Sequence, residues 1–281
     1  MARTPPIVLT VAGFDPSSGA GVTADIKTIA AHGCYGVACV TALTVQSTVG
    51  VRRVEALKPG LVTETLQELA EDFPIAAVRI GILGSAAVTG ALTDFLSRRK
   101  LSNVVLDPVL RSSSGTVLID PDGLRLLKEK LIPLSTVITP NVREAAELTA
   151  IEVVNPEQMK AAARKIHAMG APAVVVTGGE MEKAIDLLSF ESRQGVQQEL
   201  FKSERLRSNS THGTGCAFAT AVACHLAAGR GLPEAVMLAK AYVTAAIANA
   251  PPIGKGIGPV HHLYRMQEQR RAIIADPEPA I

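Results

Sequence analysis

The sequence contains no tryptophan and only 3% aromatic residues, so it offers few flat platforms on which exposed nucleobases could stack. It also lacks a block of like charge. Twenty-eight Lys and Arg face 26 Asp and Glu, a net charge of +2, and the basic residues are scattered apart from the pair Arg270 and Arg271. That is too little for a nucleic-acid footprint. Cys34, Cys39, Cys216 and Cys224 form no C-x-x-C pair, which argues against both a zinc site and a disulfide framework. The first apolar run follows Met1–Pro6 and is broken at Asp15, too soon for a signal peptide or a membrane span. A cytoplasmic location, with neither nucleic acid nor membrane as partner, is the expectation.

Nearly half of the 281 residues are apolar and 19% are charged, the composition of a soluble globular protein. Short β-branched runs at Ile7–Ala12, Val37–Thr44, Ala77–Leu83, Val104–Leu110, Thr136–Thr139 and Ala173–Thr177 alternate with helical patterns. The helices are expected at Val22–His32, Pro59–Asp72, Ala86–Arg98, Pro121–Leu131, Val142–Leu148, Pro156–Met169, Ala217–Ala228 and Pro233–Ala248. Such alternation implies a mostly parallel sheet, and runs apolar throughout imply helices on both faces: an α/β three-layer sandwich. Ala184–Phe190 and Val196–Phe201 flank a Gln-Gly turn, and read as an antiparallel hairpin at one edge. With no linker-like stretch and no repeat, residues 1–281 read as one domain with a loose tail from about Asp276.

Two glycine-rich segments attract the chemistry. In Thr211-His212-Gly213-Thr214-Gly215-Cys216, just ahead of a helix rich in small residues, the glycines let backbone N–H groups turn inward. The helix dipole adds positive potential, so a transferring phosphoryl group would be stabilised there. Read blandly, it is a loop packed against a helix. Cys216 falls in the first turn, where a dipole favours thiolate, so a depressed pKa and a base or positioning role are expected. The other three cysteines read as small buried apolar residues.

The second segment, Gly13 to Gly21, joins the first strand to the helix carrying Asp25. It fits neither Walker A nor the dinucleotide G-x-G-x-x-G spacing, which disfavours a P-loop NTPase and a classical dehydrogenase. A glycine-rich loop at a strand's carboxyl end is nevertheless where open parallel sheets bind ligands. Asp107 and Glu144 lie at further strand ends and could hold Mg²⁺ through waters. The bland readings are a turn-stabilising Asp before Pro108 and a first-turn Glu complementing a helix dipole.

The blocks Ala12–Asp15 with Gly19–Thr28, Thr41–Gln46, Asp107–Val109, Thr139–Ala145 and Thr211–Cys216 resemble, in order and spacing, the hydroxymethylpyrimidine/phosphomethylpyrimidine kinases of the ribokinase-like superfamily. The resemblance runs from Val8 to about His262. It implies a ribokinase-like fold, ATP as co-substrate, Mg²⁺, a homodimer and two successive phosphorylations of an aminopyrimidine for thiamin biosynthesis. It further implies that Gln46 hydrogen-bonds the pyrimidine, that Gly13 and Asp25 lie at the substrate pocket, and that Asn141, Glu144, Asp107, Thr177 and Gly178 serve Mg-ATP. Gly213, Thr214 and Gly215 would form the anion hole beside Cys216. Related sugar and pyridoxal kinases usually carry Asp at the position of Cys216.

Family members commonly have Lys where this chain has Thr177, and His where it has Glu180. The cation expected near the ATP phosphates is therefore missing, and Arg111 reads first as a solvated loop residue and second as its substitute. A pyridoxal-type kinase and a non-catalytic pyrimidine-binding protein of the same fold are the competing readings.

Overall fold

Along the first strand, Ile7, Leu9 and Val11 join one buried cluster while Val8 joins another on the opposite face. Period-two alternation between two covered faces is what a strand inside a three-layer sandwich requires. The computed structural model describes residues 4–112, 114–179, 181 and 184–266; Glu180, Arg270, Arg271 and the expected tail from Asp276 lie outside them. Its strands are β1 (Ile7–Phe14), β2 (Tyr35–Ser47), β3 (Gly50–Ala56), β4 (Ile75–Ile80), β5 (Val104–Leu106), β6 (Val137–Ile138), β7 (Ala173–Val176), β8 (Ala184–Ser192) and β9 (Gly195–Ser203). They form a single nine-stranded sheet in the order β3-β2-β1-β4-β5-β6-β7-β8-β9.

From β2 to β7 the pairing is parallel, and β3, β8 and β9 close the two edges antiparallel. The expected edge hairpin is β8–β9. Its turn is Arg193-Gln194 rather than Gln-Gly, with Gly195 pairing Ser192 at a φ of 99°. The second antiparallel edge, β3, was not anticipated. Its sequence Gly-Val-Arg-Arg-Val-Glu-Ala contains no buried residue, so it carries no alternation to read, and its charges suit an exposed edge.

The helices are α1 (Gly21–Ala31), α2 (Pro59–Asp72), α3 (Ala86–Arg99), α4 (Pro121–Leu126), α5 (Val142–Thr149), α6 (Pro156–His167), α7 (Thr214–Ala227) and α8 (Leu232–Ala248). Local chemistry sets several starts: the side chains of Ser85, Asp120 and Asn155 cap α3, α4 and α6 by accepting from Val88, Gly123 and Gln158 N–H, as N-cap residues do. The helix expected over Pro121–Leu131 instead widens into a π turn at Leu127–Leu131 and tightens into a 3₁₀ turn at Ile132–Leu134, where Pro133 cannot donate to a continuing ladder. No helix among the described residues is long and apolar enough to cross a membrane.

One cluster gathers α2, α3, α5 and α6 on one face, the other gathers α7 and α8 on the opposite face. Helix α7 is buried almost throughout, including Ala217, Ala219, Ala221 and Ala223; side chains this small let it lie close against the sheet. Because β1 pairs with β2 on one side and β4 on the other, the chain direction across the sheet reverses at β1. Loops leaving the strands diverge there and open a crevice at the carboxyl ends.

Candidate active site

The loop leaving β1 is organised by Asp15. This buried carboxylate accepts from Ser17 N–H (2.8 Å), Ser17 Oγ (2.7 Å), Ala20 N–H (2.9 Å) and His212 Nε2 (2.9 Å). Burial alone would raise its pKa, but the hydrogen bonds from His212 and Ser17 outweigh burial and hold it below the ordinary carboxylate range. The partner histidine comes from the second glycine-rich segment, so the two segments picked out of the sequence meet in space. Their approach is very close: a Cβ on Gly213, whose φ is 81°, would lie 1.8 Å from the Gly19 carbonyl oxygen. Only glycine fits there.

Helix α7 begins at Thr214, three residues earlier than expected, with Gly213 as its N-cap. Thr214, Gly215 and Cys216 are therefore the first turn itself, where backbone N–H groups lack intrahelical partners. Thr214 Oγ1 donates to Thr211 O at 2.7 Å, closing the loop, and open space adjoins Gly215. A helix start of this kind is where anions are commonly bound.

Beside it, at the end of β2, Gln46 directs its amide between two neighbours. Its Nε2 lies 3.1 Å from His212 Nε2 and its Oε1 lies 3.2 Å from Thr44 Oγ1, a donor that also reaches Phe14 O at 3.0 Å. Gln46 and His212 line a cavity of about 230 Å³ with Ser114, Gly50 and the strap Gly256-Ile257. The strap is tied to the turn between β2 and β3 by Ile257 N–H donating to Thr48 O at 2.9 Å, and a Cβ on Gly256 would come within 2.1 Å of that oxygen. Its glycines at 254, 256 and 258 were a readable sign of close backbone approach that went unused. Gly13 sits against Ile82 and Ala42 at the carboxyl ends of the neighbouring strands.

Under the anion loop lies a buried ion cluster that sequence reasoning did not assemble. Arg79, fully buried on the α7-facing side of β4, donates from Nη1 to Asp25 (3.1 Å) and from Nη2 to Asp107 (2.5 Å). Asp25 also accepts from Thr10 (2.6 Å) and Thr220 (2.7 Å). Asp25 is completely buried, its carboxylate engaged by the guanidinium and two hydroxyls. Asp107 is buried too and engages Arg79 through Oδ2. A lone charge in the apolar run Ala77–Leu83 was the available signal for Arg79.

The Cys216 thiol abuts this cluster. The expected depressed pKa is not found. Burial, reinforced by the carboxylates of Asp107 and Asp25 and opposed by Arg79, pushes the thiol up to about 12. Cys216 is a neutral thiol here, because desolvation and two acidic neighbours exceed the pull of the helix dipole. Burial and repulsion from Asp25 push Asp107 up to about 6 against the attraction of Arg79.

Asn141, Glu144, Thr177 and Gly178 converge at the carboxyl ends of β6 and β7, where Thr177 N–H donates to Pro140 O and Val142 N–H to Thr177 O. Asn141 and Glu144 form a capping box on α5: Asn141 Oδ1 accepts from Arg143 and Glu144 N–H, and Glu144 Oε2 accepts from Asn141 N–H, each at 2.9 Å. The helix-terminus reading of Glu144 is therefore realised in the structure. Gly178 N–H donates to Asp186 Oδ1 (2.9 Å), and Lys240 Nζ donates to Asp186 Oδ2 (2.6 Å). A largely buried ammonium from α8 thus lies one carboxylate away from the segment that lacks its family lysine. Arg111, the other candidate, is paired with Glu147 through Nε (3.0 Å) and Nη2 (3.4 Å).

Comparison with known proteins gives one consistent picture. The family described as phosphomethylpyrimidine kinase matches residues 15–261. The hydroxymethylpyrimidine/phosphomethylpyrimidine kinase of Salmonella typhimurium is 40% identical over 259 residues, covering 91% of this chain and 97% of that protein. The thiamine biosynthesis bifunctional protein ThiED of Geobacter sulfurreducens is 41% identical over 94% of this chain, which spans 53% of its length. Among solved structures, a Bacillus subtilis pyridoxal kinase in complex with ADP superposes with a TM-score of 0.84 at 33% identity, covering 94% of this chain and all of that one. The phosphomethylpyrimidine kinase of Clostridium difficile superposes at 0.76 with 36% identity, covering 86% and 99%.

Proposed function

Because this chain belongs to the phosphomethylpyrimidine kinase family and is an ATP-dependent kinase of thiamin biosynthesis, we propose that both of its phosphorylations occur at one site, between the Gln46 cavity and the anion loop. The first converts 4-amino-5-hydroxymethyl-2-methylpyrimidine to its monophosphate, and the second converts the monophosphate to the diphosphate. The carrying observation is the close approach of Gly213 to Gly19, which joins the loop of the Asp15 segment to the start of α7, next to His212 in the wall of the Gln46 cavity.

Phosphoryl transfer passes through a loose transition state whose charge is spread over the equatorial oxygens, so positioning and charge stabilisation outweigh a strong base. The first turn of α7 supplies that stabilisation. A neutral Cys216 suits both steps. It withdraws no charge from the loop, and in the second step it does not repel the phosphate that acts as acceptor.

Nucleotide binds, on this reading, along Asn141, Glu144, Thr177 and Gly178, beside the Asp186–Lys240 ion pair that holds the Gly178 N–H. The described residues include no cluster of three or more His, Cys, Asp or Glu able to hold a metal. Mg²⁺ carried on the nucleotide's phosphates would be reached by Glu144 through water, as Mg²⁺ is ordinarily held. When bound it neutralises phosphate charge.

The likeness to pyridoxal kinases makes pyridoxal the second substrate to test. A product-resolved assay with Mg-ATP should yield both pyrimidine mono- and diphosphate. Phosphorylation of pyridoxal alone would overturn the assignment of the cavity to an aminopyrimidine, and monophosphate alone would overturn the two-step use of one site.

A further inference from the structure

His212 has two claimants on one nitrogen. Its Nε2 lies 2.9 Å from Asp15 Oδ2 and 3.1 Å from the near end of the Gln46 amide. Asp15 is a buried carboxylate already fixed by Ser17 and Ala20, and an ionised carboxylate only accepts, so Nε2 must carry the proton. That holds for neutral and doubly protonated imidazole alike. That proton goes first to Asp15; a Gln46 nitrogen facing this N–H would set two donors against each other, whereas its oxygen could share the same proton as a second, weaker acceptor. A half-turn of the amide exchanges the two atoms and moves nothing else.

The other end of the amide makes the same demand. Thr44 Oγ1 has one proton and gives it to Phe14 O at 3.0 Å. Gln46 Oε1, 3.2 Å away, competes for that proton; with the proton on Phe14 O, the nearer acceptor, Thr44 Oγ1 is free to accept from the amide nitrogen once the amide is turned by a half-turn. Two neighbours on opposite ends of the amide, from different parts of the chain, are then both served by one orientation.

We propose that His212, held by Asp15, is a positioning residue that locks Gln46 with Oε1 toward the imidazole and Nε2 toward Thr44, and that this lock selects an amino over an oxo substituent on the pyrimidine. An amide has two lone pairs and two hydrogens. With one of each taken, an acceptor and a donor remain side by side in a fixed order. An aminopyrimidine edge offers the complement, a ring nitrogen that accepts and an amino group that donates. An oxo group at the amino position replaces that donor by an acceptor, and a locked amide cannot turn over to meet it. The inference rests on the assignment of the cavity to the pyrimidine.

The test compares kcat/KM for the aminopyrimidine and its 4-oxo analogue in the wild type, His212→Phe and His212→Gln. A buried polar group left unpaired is strongly discriminating, so the wild type should favour the amino compound by about a thousandfold or more. In H212F the freed amide can rotate, and the preference should fall to roughly tenfold or less while KM for ATP stays within about twofold. H212Q, which can restore an N–H at the same reach, should recover most of the preference.

A merely structural role for His212 would lower both rates together; unchanged discrimination in H212F overturns the lock. A wild type that neither binds nor phosphorylates the aminopyrimidine would instead overturn the substrate assignment, and the lock with it. Independently of any variant, NMR of the wild type should show the Gln46 amide hydrogens close to the Thr44 methyl and remote from the His212 ring. The reverse pattern would also refute the proposal.

Discussion

Cys216 shows how far a side chain's neighbours can override its place on a helix. A first-turn position favours thiolate by a modest amount, but the thiol shares its surroundings with Asp107 and Asp25 and is pushed up to about 12. Both carboxylates are already served by the single guanidinium of Arg79. Cys216→Asp would add a third carboxylate to that cluster and aim it at the acceptor. The first phosphorylation, with a neutral hydroxymethyl acceptor, should suffer less than the second, whose acceptor is a phosphate. The expected gap is about ten- to a hundredfold in kcat/KM, of the order of one unit charge repelling another through partly screened surroundings. Separate rates for the two steps check this, and equal losses would sink the electrostatic account.

Individual elements differ in how openly they announce themselves. Helix α2 is found over Pro59–Asp72, the range read from sequence, because a first-turn proline and a clear apolar face are local signals. Strand β3 was invisible because nothing on it is buried. The β7–β8 segment was read for the lysine it lacks, while Lys240 of α8 pairs with Asp186, the carboxylate that also holds Gly178 N–H. There Gly178 leaves no room for a side chain: a Cβ would lie 2.2 Å from Ile185 O. Gly178→Ala should therefore displace the N–H that donates to Asp186 and disturb the Lys240 pair. KM for ATP is expected to rise about tenfold with KM for the pyrimidine within about twofold. Steady-state kinetics with each substrate varied in turn would show it, and an equal rise in both constants would argue for general loosening instead.

In the whole molecule the Arg79 cluster is a junction, joining α1 through Asp25, β4 through the arginine, the loop after β5 through Asp107 and α7 through Thr220. Removing one member of a buried ion group strands the others, so Arg79→Met should cost roughly 3–5 kcal/mol of stability. Urea unfolding would measure this, and a loss below about 1 kcal/mol would mean the junction bears little of the fold. What the sequence determined by itself was local: helix starts set by caps and prolines, strands set by β-branched runs, and loops whose glycines permit close approach. What only the tertiary structure decided was which distant polar groups share an interior. Arg79 meets partners 54 and 28 positions away, and Gln46 meets His212 across 166. Capping and strand formation depend on neighbours along the chain, whereas a buried charge or amide is satisfied by whatever packing brings to it when water is excluded. The neutral thiol, the oriented amide and the Lys240–Asp186 pair all belong to that second kind.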